Sequence, residues 1–404
     1  MNTAATLRMG VAGLGAAGQA FVPALRAHAD CAWVAFAEPV DELRARMQHA
    51  HGVAGYATLP DLLAHPGLDA VIVATPTPLH AQQVLQVAAA GKHVLVEKPM
   101  AVTLDDARAM VHAAERAGVV LLVGHSHGYD APIAGMRQVI DSGELGPVGM
   151  VNTWCFTDWV YRPRRADELD AAQGGGVTFR QGSHQFDILR LLCGGRARSV
   201  RAKAFDWNPQ RSTVGAHIAF IDFEDGPAAT AVYNGYGGFS SMDLCFDISE
   251  WGLHQPPGQR PRMALPGQTG SPQDELTAKA ARAGRAIAAQ APHTPFFGLT
   301  LVSCERGDIR QAPNGLRLHT ATGVREVPVP VDRSPRERVL DEWCAAIRGT
   351  APALHSGAWG LANLELCVAA QTSSKEGREV LLQEQVPLPL PLPLPRSLPR
   401  SRFR

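Results

Sequence analysis

Leu7-Arg8-Met9-Gly10-Val11-Ala12-Gly13-Leu14-Gly15-Ala16-Ala17-Gly18 is the stretch whose reading decides the fold. Its first six residues read as a short apolar strand, and the Ala-rich stretch Gln19–His28 that follows reads as a helix. A G-x-G-x-x-G string alone says little, but between a strand and a helix it has a mechanism. Gly13 permits a tight turn, Gly15 lets the backbone approach a pyrophosphate, and Gly18 lets helix and strand pack closely. The helix start then turns its amides toward phosphate, so Gly13, Leu14, Gly15, Ala16, Ala17 and Gly18 form the expected cofactor loop.

Working outward, apolar runs at Trp33–Ala37, Ala70–Ala74, His93–Val96 and Val119–Val123 alternate with helical stretches at Asp41–Ala50, Leu79–Ala90 and Leu104–Ala117. Strands that are apolar throughout, each followed by a helix, predict a parallel sheet covered on both faces. Residues 1–127 are therefore expected to form an α/β doubly wound, dinucleotide-binding domain. Glu38 ends the second strand, 25 residues after Gly13, where a carboxylate can accept both ribose hydroxyls and repel a 2′-phosphate. That favours NAD; the rival reading has Glu38 solvated and Arg44 or Arg46 serving NADP.

After His127 the pattern changes to a helix, Pro132–Ser142, and then β-like runs at Val148–Thr157, Val200–Trp207, His217–Phe223, Ala228–Tyr233 and Leu299–Glu305. Asp225-Gly226 and Asn314-Gly315 are hairpin-type turns. Residues 128–385 are expected to be an α+β domain with a largely antiparallel sheet, helices at Glu337–Ile347 and Leu361–Gly377, and an excursion at 254–297 containing a helix, Asp274–Gln290. From residue 386 the chain alternates Pro and Leu and then carries four arginines among its last nine residues; an overhang in polyproline II or disorder is expected, with a ligand for a proline-binding partner as the alternative.

Composition excludes several classes. Of 404 residues, 38 are Lys or Arg and 38 Asp or Glu, which leaves no cation surplus for bulk nucleic-acid binding. The apolar runs fall far short of the roughly 20 residues a membrane helix needs. The early strand argues against a cleaved leader. Seven scattered cysteines with no C-x-x-C pair predict reduced thiols, a cytoplasmic setting and no metal site.

Ala74-Thr75-Pro76, His80 and Glu97-Lys98-Pro99 are more specific. A lysine at a sheet strand's carboxyl end stands where ligands bind such sheets, and Pro99 restricts Lys98 to extended backbone. With these strings the chain resembles the glucose–fructose oxidoreductase / inositol dehydrogenase family over roughly residues 7–382. The resemblance implies that Lys98 lies beside nicotinamide and substrate, that Thr75, Pro76 and His80 match a cofactor-side loop, and that Glu97 lies near the nicotinamide end. Gly124–Ile133, Thr157–Arg165 and Ser303–Asp308 are similar to the branch that oxidises phthalate cis-dihydrodiols.

In that family a Gly-rich loop precedes a substrate-facing histidine on a helix; Gly174–Gly176 and His184 match it. An imidazole there can pass a proton. Polyol-oxidising relatives carry Asp four residues earlier, where this chain has Arg180, which suits a carboxylate. Arg162, Arg164 and Arg165 share a loop with Trp159 and Tyr161, a combination that suits a planar ring bearing carboxylates, although at least one of these arginines is expected to pair with Asp167, Glu168 or Asp170. His125 and His127, two apart at a strand end, are expected to share a face and bond at the crevice. The resulting expectation is an NAD-dependent dehydrogenase for a carboxylated cyclic cis-dihydrodiol, with Lys98 and His184 catalytic. The alternatives are a polyol or sugar dehydrogenase and a redox-silent NAD-binding regulator, which the motif lysine disfavours. By family analogy a homo-oligomer is implied.

Overall fold

The structure is a computed structural model that describes residues 5–257, 274–279, 281–282 and 291–389. It divides into two compact units, one running to His125 and adding Arg336–Leu364, the other built from Ser126–Pro335 and Glu365–Leu388.

The first unit holds β1 (Leu7–Ala12), α1 (Ala16–Ala27), β2 (Cys31–Ala37), α2 (Asp41–His51), β3 (Ala54–Tyr56), α3 (Leu59–Leu63), β4 (Ala70–Val73), α4 (His80–Ala89), β5 (His93–Val96), α5 (Leu104–Ala117) and β6 (Leu121–Val123). All strands are parallel, in the order β3-β2-β1-β4-β5-β6. Val71, Ile72, Val94 and Leu95 are wholly buried, as strands covered on both faces require. Helix ends follow local rules: at α5 the Thr103 hydroxyl accepts from Asp106 N, Asp105 and Asp106 oppose the positive helix end, and Gly118 closes the helix in the left-handed region. β3 and α3 are too short to leave a periodic signal.

The helix expected at Glu337–Ile347 is α10 (Pro335–Ile347), and it joins the first unit rather than the second as chain order suggested. Packing decides this. Val339, Leu340 and Trp343 are wholly buried, His28 reaches Asp341 at 2.9 Å, and Cys31 and Cys344 meet at 3.4 Å. The following helix, α11 (Gly357–Glu376), gives its residues to Leu364 to the first unit and the rest to the second.

In the second unit α6 (Ala131–Ser142), α7 (Ala166–Leu169), α8 (Val177–Arg180) and α9 (Gly182–Cys193) accompany a nine-stranded sheet. Its strands are β7 (Val148–Phe156), β8 (Ala197–Phe205), β9 (Ala216–Phe223), β10 (Ala228–Asn234), β11 (Leu299–Cys304), β12 (Gly307–Ala312), β13 (Gly315–Thr320), β14 (Gly323–Pro328) and β15 (Val380–Leu381). The order is β14-β13-β12-β11-β7-β10-β9-β8-β15, antiparallel except for β7 with β10. Every residue of α9 is buried, and its Gln185 bonds Thr153 and Val232 on the sheet. Side chains that alternate to the other face are apolar yet exposed: Met150 (51%), Trp154 (43%), Ile218 (52%) and Phe220 (49%), with Val232 paired between Trp154 and Ile218.

Of the expected helix Asp274–Gln290, residues 274–279 and 281–282 are helical and the rest lies outside the described residues, as do 258–273 of the excursion and the tail from 390. Among the described residues no helix is long and apolar enough to cross a membrane.

Candidate active site

The cofactor loop has the geometry its glycines imply. Gly13 sits at φ +86°, and a Cβ on Gly18 would stand 2.0 Å from Gly13 O, so the helix can approach the turn only without a side chain. A Cβ on Gly15 would meet nothing within 4 Å. Gly15 caps α1 without a side-chain bond, and no acid occupies the first turn, where Ala16 and Ala17 begin the helix. An open backbone surface at an uncapped, positive helix end fits a pyrophosphate. Leu14 does not present its amide there: Leu14 N donates to Glu38 Oε2 at 2.9 Å, and its side chain is buried in the core. Val40 N donates to Glu38 Oε1 at 3.0 Å, so Glu38 bolts the loop to the end of β2 while each carboxylate oxygen keeps further acceptor capacity. Arg44 donates to Glu38 O at 2.7 Å and pairs with Asp41.

At the ends of β4 and β5, His80 is buried, with Nε2 2.9 Å from Thr75 O and Nδ1 3.0 Å from Pro99 O. It positions two strand-end loops rather than offering its ring to a ligand. Thr75 Oγ1 donates to Gln83 at 2.5 Å, and Pro76 is half-buried. Lys98 is half-buried and its peptide bond to Pro99 is cis. Glu97 beside it is buried, accepts from Lys98 N at 3.2 Å and meets Arg336 Nη1 at 2.5 Å. Burial would raise the Glu97 carboxyl, but Arg336 and Lys98 outweigh it and hold it below the usual carboxylate range. Arg336 also lies over the Phe21 ring of α1 at 4.4 Å. Sequence reasoning missed Arg336, which carries no motif and is 239 residues from its partner.

In the second unit His184 opens α9, and its ring meets the His127 ring edge-on at 4.4 Å and Phe297 at 5.1 Å. His127 stacks on Phe297 at 4.3 Å, and its Nδ1 lies 2.7 Å from buried Asp130 Oδ2. Burial raises the Asp130 carboxyl, with His127 opposing. An aromatic wall and an Asp130–His127–His184 series of titratable groups thus form one cluster, of which sequence reasoning found the two histidines. His125 is not on their face: β6 ends at Val123, and His125 is buried beside His355 (5.9 Å between rings) and Asn363 in the first unit.

The arginine loop is already internally bonded. Arg162 is clamped by Asp158 (2.7 Å) and Glu250 (2.9 Å) beside a cavity of ≈ 230 Å³; burial alone would lower its pKa, yet these two acids hold it above the usual range. Arg165 forks onto Asp167, as the pairing expectation held. Trp159 is wholly buried, with the Arg164 guanidinium 4.2 Å over its face, so that face is not presented to a ring substrate. Glu168, also buried, gathers Arg180 (3.2 Å), Arg164 (3.9 Å) and Lys279. Burial opposes its charge, but these cations hold Glu168 well below the usual carboxylate range. Burial pulls Arg164 down to about 10 and Lys279 down to about 8, with Glu168 countering both.

Comparison with known proteins agrees with this anatomy. A model described as "Oxidoreductase family, NAD-binding Rossmann fold" matches residues 7–125, and a "GFO/IDH/MocA C-terminal domain" model matches residues 133–246. The 1-carboxy-3-chloro-3,4-dihydroxycyclohexa-1,5-diene dehydrogenase of Comamonas testosteroni is 35% identical over 91% of this chain and 95% of its own length. An inositol 2-dehydrogenase from Rhizobium meliloti (strain 1021) is 30% identical over 49% of this chain and 58% of its own. A solved protein from Bordetella bronchiseptica RB50 is 36% identical and superposes with a TM-score of 0.85, covering 93% of this chain and 100% of that one. With the glycine loop, the Glu97-Lys98-Pro99 strand end and the mixed nine-stranded sheet in place, the chain belongs to the GFO/IDH/MocA family and is an NAD-dependent oxidoreductase.

Proposed function

We propose that the substrate is a carboxylated cyclic cis-dihydrodiol of the phthalate type, oxidised to a catechol in the breakdown of aromatic acids. The observation that carries this reading is the likeness, along 95% of its length, to an enzyme named for a carboxylated dihydroxycyclohexadiene. The cation cluster supports the carboxylate. Arg164, Arg180 and Lys279 set three cationic groups around the single carboxylate of Glu168, and that excess of positive charge favours an anion.

Bound NAD supplies the acceptor for the carbinol hydrogen and its electron pair. Lys98 takes the hydroxyl proton, its backbone held by Pro99 and by the hydrogen bond to Glu97. In the second unit His184 is the proposed acid–base group, with His127 against its ring and Asp130 orienting His127. The resulting ring ketone loses the neighbouring carbon's proton and enolises to the catechol, and aromatisation draws the oxidation forward. Glu38 keeps acceptor capacity for the adenosine ribose.

A ring polyol is the second reading, favoured by the likeness to inositol 2-dehydrogenase over about half the chain; the Glu168 cluster weighs against it. Following NADH absorbance with a carboxylated ring cis-diol, its uncharged counterpart and inositol separates the readings. The first should turn over fastest. Equal rates on the uncharged diol, or turnover of inositol alone, would overturn the proposal. We also assign a homo-oligomer formed through the exposed apolar sheet face, Met150, Trp154, Ile218 and Phe220, and a cytoplasmic setting, which the absence of any disulfide among the seven cysteines supports.

A further inference from the structure

The strand ends of the first unit that lie opposite the cofactor loop carry a second cluster, unrelated to the reaction above. We propose that His28, Cys31 and Cys344 form a binding site for a borderline-soft divalent cation of the zinc class, with Asp341 orienting the imidazole. One ligand atom from each of the three residues lies within 4.8 Å of the other two, and all three residues are buried. The three ligands and Asp341 arrive as two pairs spaced i, i+3: His28 and Cys31 bracket the turn from α1 into β2, and Asp341 and Cys344 share one face of α10. No compact Cys/His motif announces this, because 313 residues separate the two cysteines.

Distances favour a cation over a disulfide. The two Sγ atoms stand 3.4 Å apart. Two thiolates on a tetrahedral zinc at about 2.3 Å are roughly 3.8 Å apart, an opening of about 0.4 Å. A disulfide at about 2.05 Å would require a closure of about 1.3 Å. His28 Nε2 lies 2.9 Å from Asp341 Oδ1, the carboxylate–imidazole arrangement that orients metal-bound histidines. His28 Nδ1 accepts from Asp30 N at 3.1 Å, so binding exchanges one of the two bonds the ring now makes. The two thiols now share a hydrogen bond that either sulfur can donate, and cation binding would replace it with two thiolate bonds to the ion. Asp341, about a third exposed at its side chain (36%), gives the site a way to solvent. A cation here would anchor α10, which carries Arg336 to Glu97, onto the start of β2, which ends beside Glu38.

The test uses the full chain, reduced and stripped of metal, with Co2+ as the probe and Zn2+ as competitor. A single equivalent of cobalt should bind with a thiolate-to-cobalt absorption band that zinc abolishes. Cation loading should protect Cys31 and Cys344 from alkylation, mapped by mass spectrometry, while leaving half-buried Cys304 as reactive as before. Cys344→Ser should lose both band and uptake. Absence of the band, alkylation of Cys31 and Cys344 indifferent to cation, or uptake unchanged in Cys344→Ser would each overturn the proposal. The alkylation map needs only the unmodified chain, so a misfolded variant does not rescue it.

Discussion

Arg336→Met tests whether the strand-end lysine is held by a buried charge pair. The guanidinium meets Glu97 at 2.5 Å, and the two side chains are 23% and 6% exposed. Removing one partner of a buried pair costs about 3–5 kcal/mol, because the other charge stays buried. Two terms reduce this. Lys98 still donates its backbone N–H to Glu97 and its charge still acts there. Arg336 is also a cation in the first turn of α10, where it opposes the helix dipole by about 0.3–1 kcal/mol that the variant recovers. Methionine keeps apolar contact with Phe21 but loses the cation–π attraction. The net expectation is a loss of about 3 kcal/mol near pH 8. The pH dependence has a definite sign. In the parent chain Glu97 is depressed, so its contribution is present above its unfolded pKa and is lost as pH falls through the lower folded value. In the variant burial outweighs what Lys98 alone still supplies, and the carboxyl moves up and takes a proton in mild acid. The deficit should therefore be largest near pH 8 and shrink toward about pH 5. Hydrogen exchange of the β5 and α10 amides, beside urea unfolding of the full chain, reads the first unit directly. A loss under about 1 kcal/mol near pH 8, the worth of an exposed pair, or a deficit that grows as pH falls, would refute the reasoning.

Lys98→Met should lower turnover by about 100-fold or more while calorimetry still detects NAD binding; near-normal turnover would remove Lys98 from the chemistry. Gly15→Ala should melt like the parent, since its Cβ would meet no atom within 4 Å, yet weaken NAD by about tenfold or more because the methyl occupies the phosphate approach. Gly18→Ala should instead destabilise the fold itself, its Cβ falling 2.0 Å from Gly13 O, and equal melting of both variants would contradict the packing described. Arg180→Ala should weaken a carboxylated diol more than an uncharged one, as compared by kcat/KM; equal effects on both would count against the anion cluster. Glu168→Gln should destabilise the chain at neutral pH by leaving Arg164, Arg180 and Lys279 facing one another. Because Glu168 is held below its usual range, the parent's advantage should persist through mild acid and disappear only in strong acid, as melting curves against pH would show.

Local signals were legible where local physics dominates. The bounds of β1, β5 and α5 coincide with those read from the apolar runs and the helical stretch Leu104–Ala117. The glycine loop and the lysine at the end of β5 were likewise readable, because each needs a particular residue at a particular backbone position. The meander β12 to β14 was not, beyond its Asn314-Gly315 turn: its strands Gly307–Ala312, Gly315–Thr320 and Gly323–Pro328 mix charge and glycine without clean alternation. Arg162 and Arg165 looked like substrate ligands until Asp158, Glu250 and Asp167 were seen to hold them, and Trp159 looked like a stacking surface although Arg164 covers its face.

By itself the sequence determined the two-part architecture, the cofactor loop and the motif lysine, since periodicity, glycine geometry and strand-end placement act over a few residues. Only the tertiary structure decided that Arg336 holds Glu97, that Phe297 joins His127 and His184, that α10 belongs to the first unit, and that His28, Cys31 and Cys344 converge. Those pairings depend on burial and charge compensation between segments more than a hundred residues apart, and no local pattern along a chain marks which distant groups will lose water together.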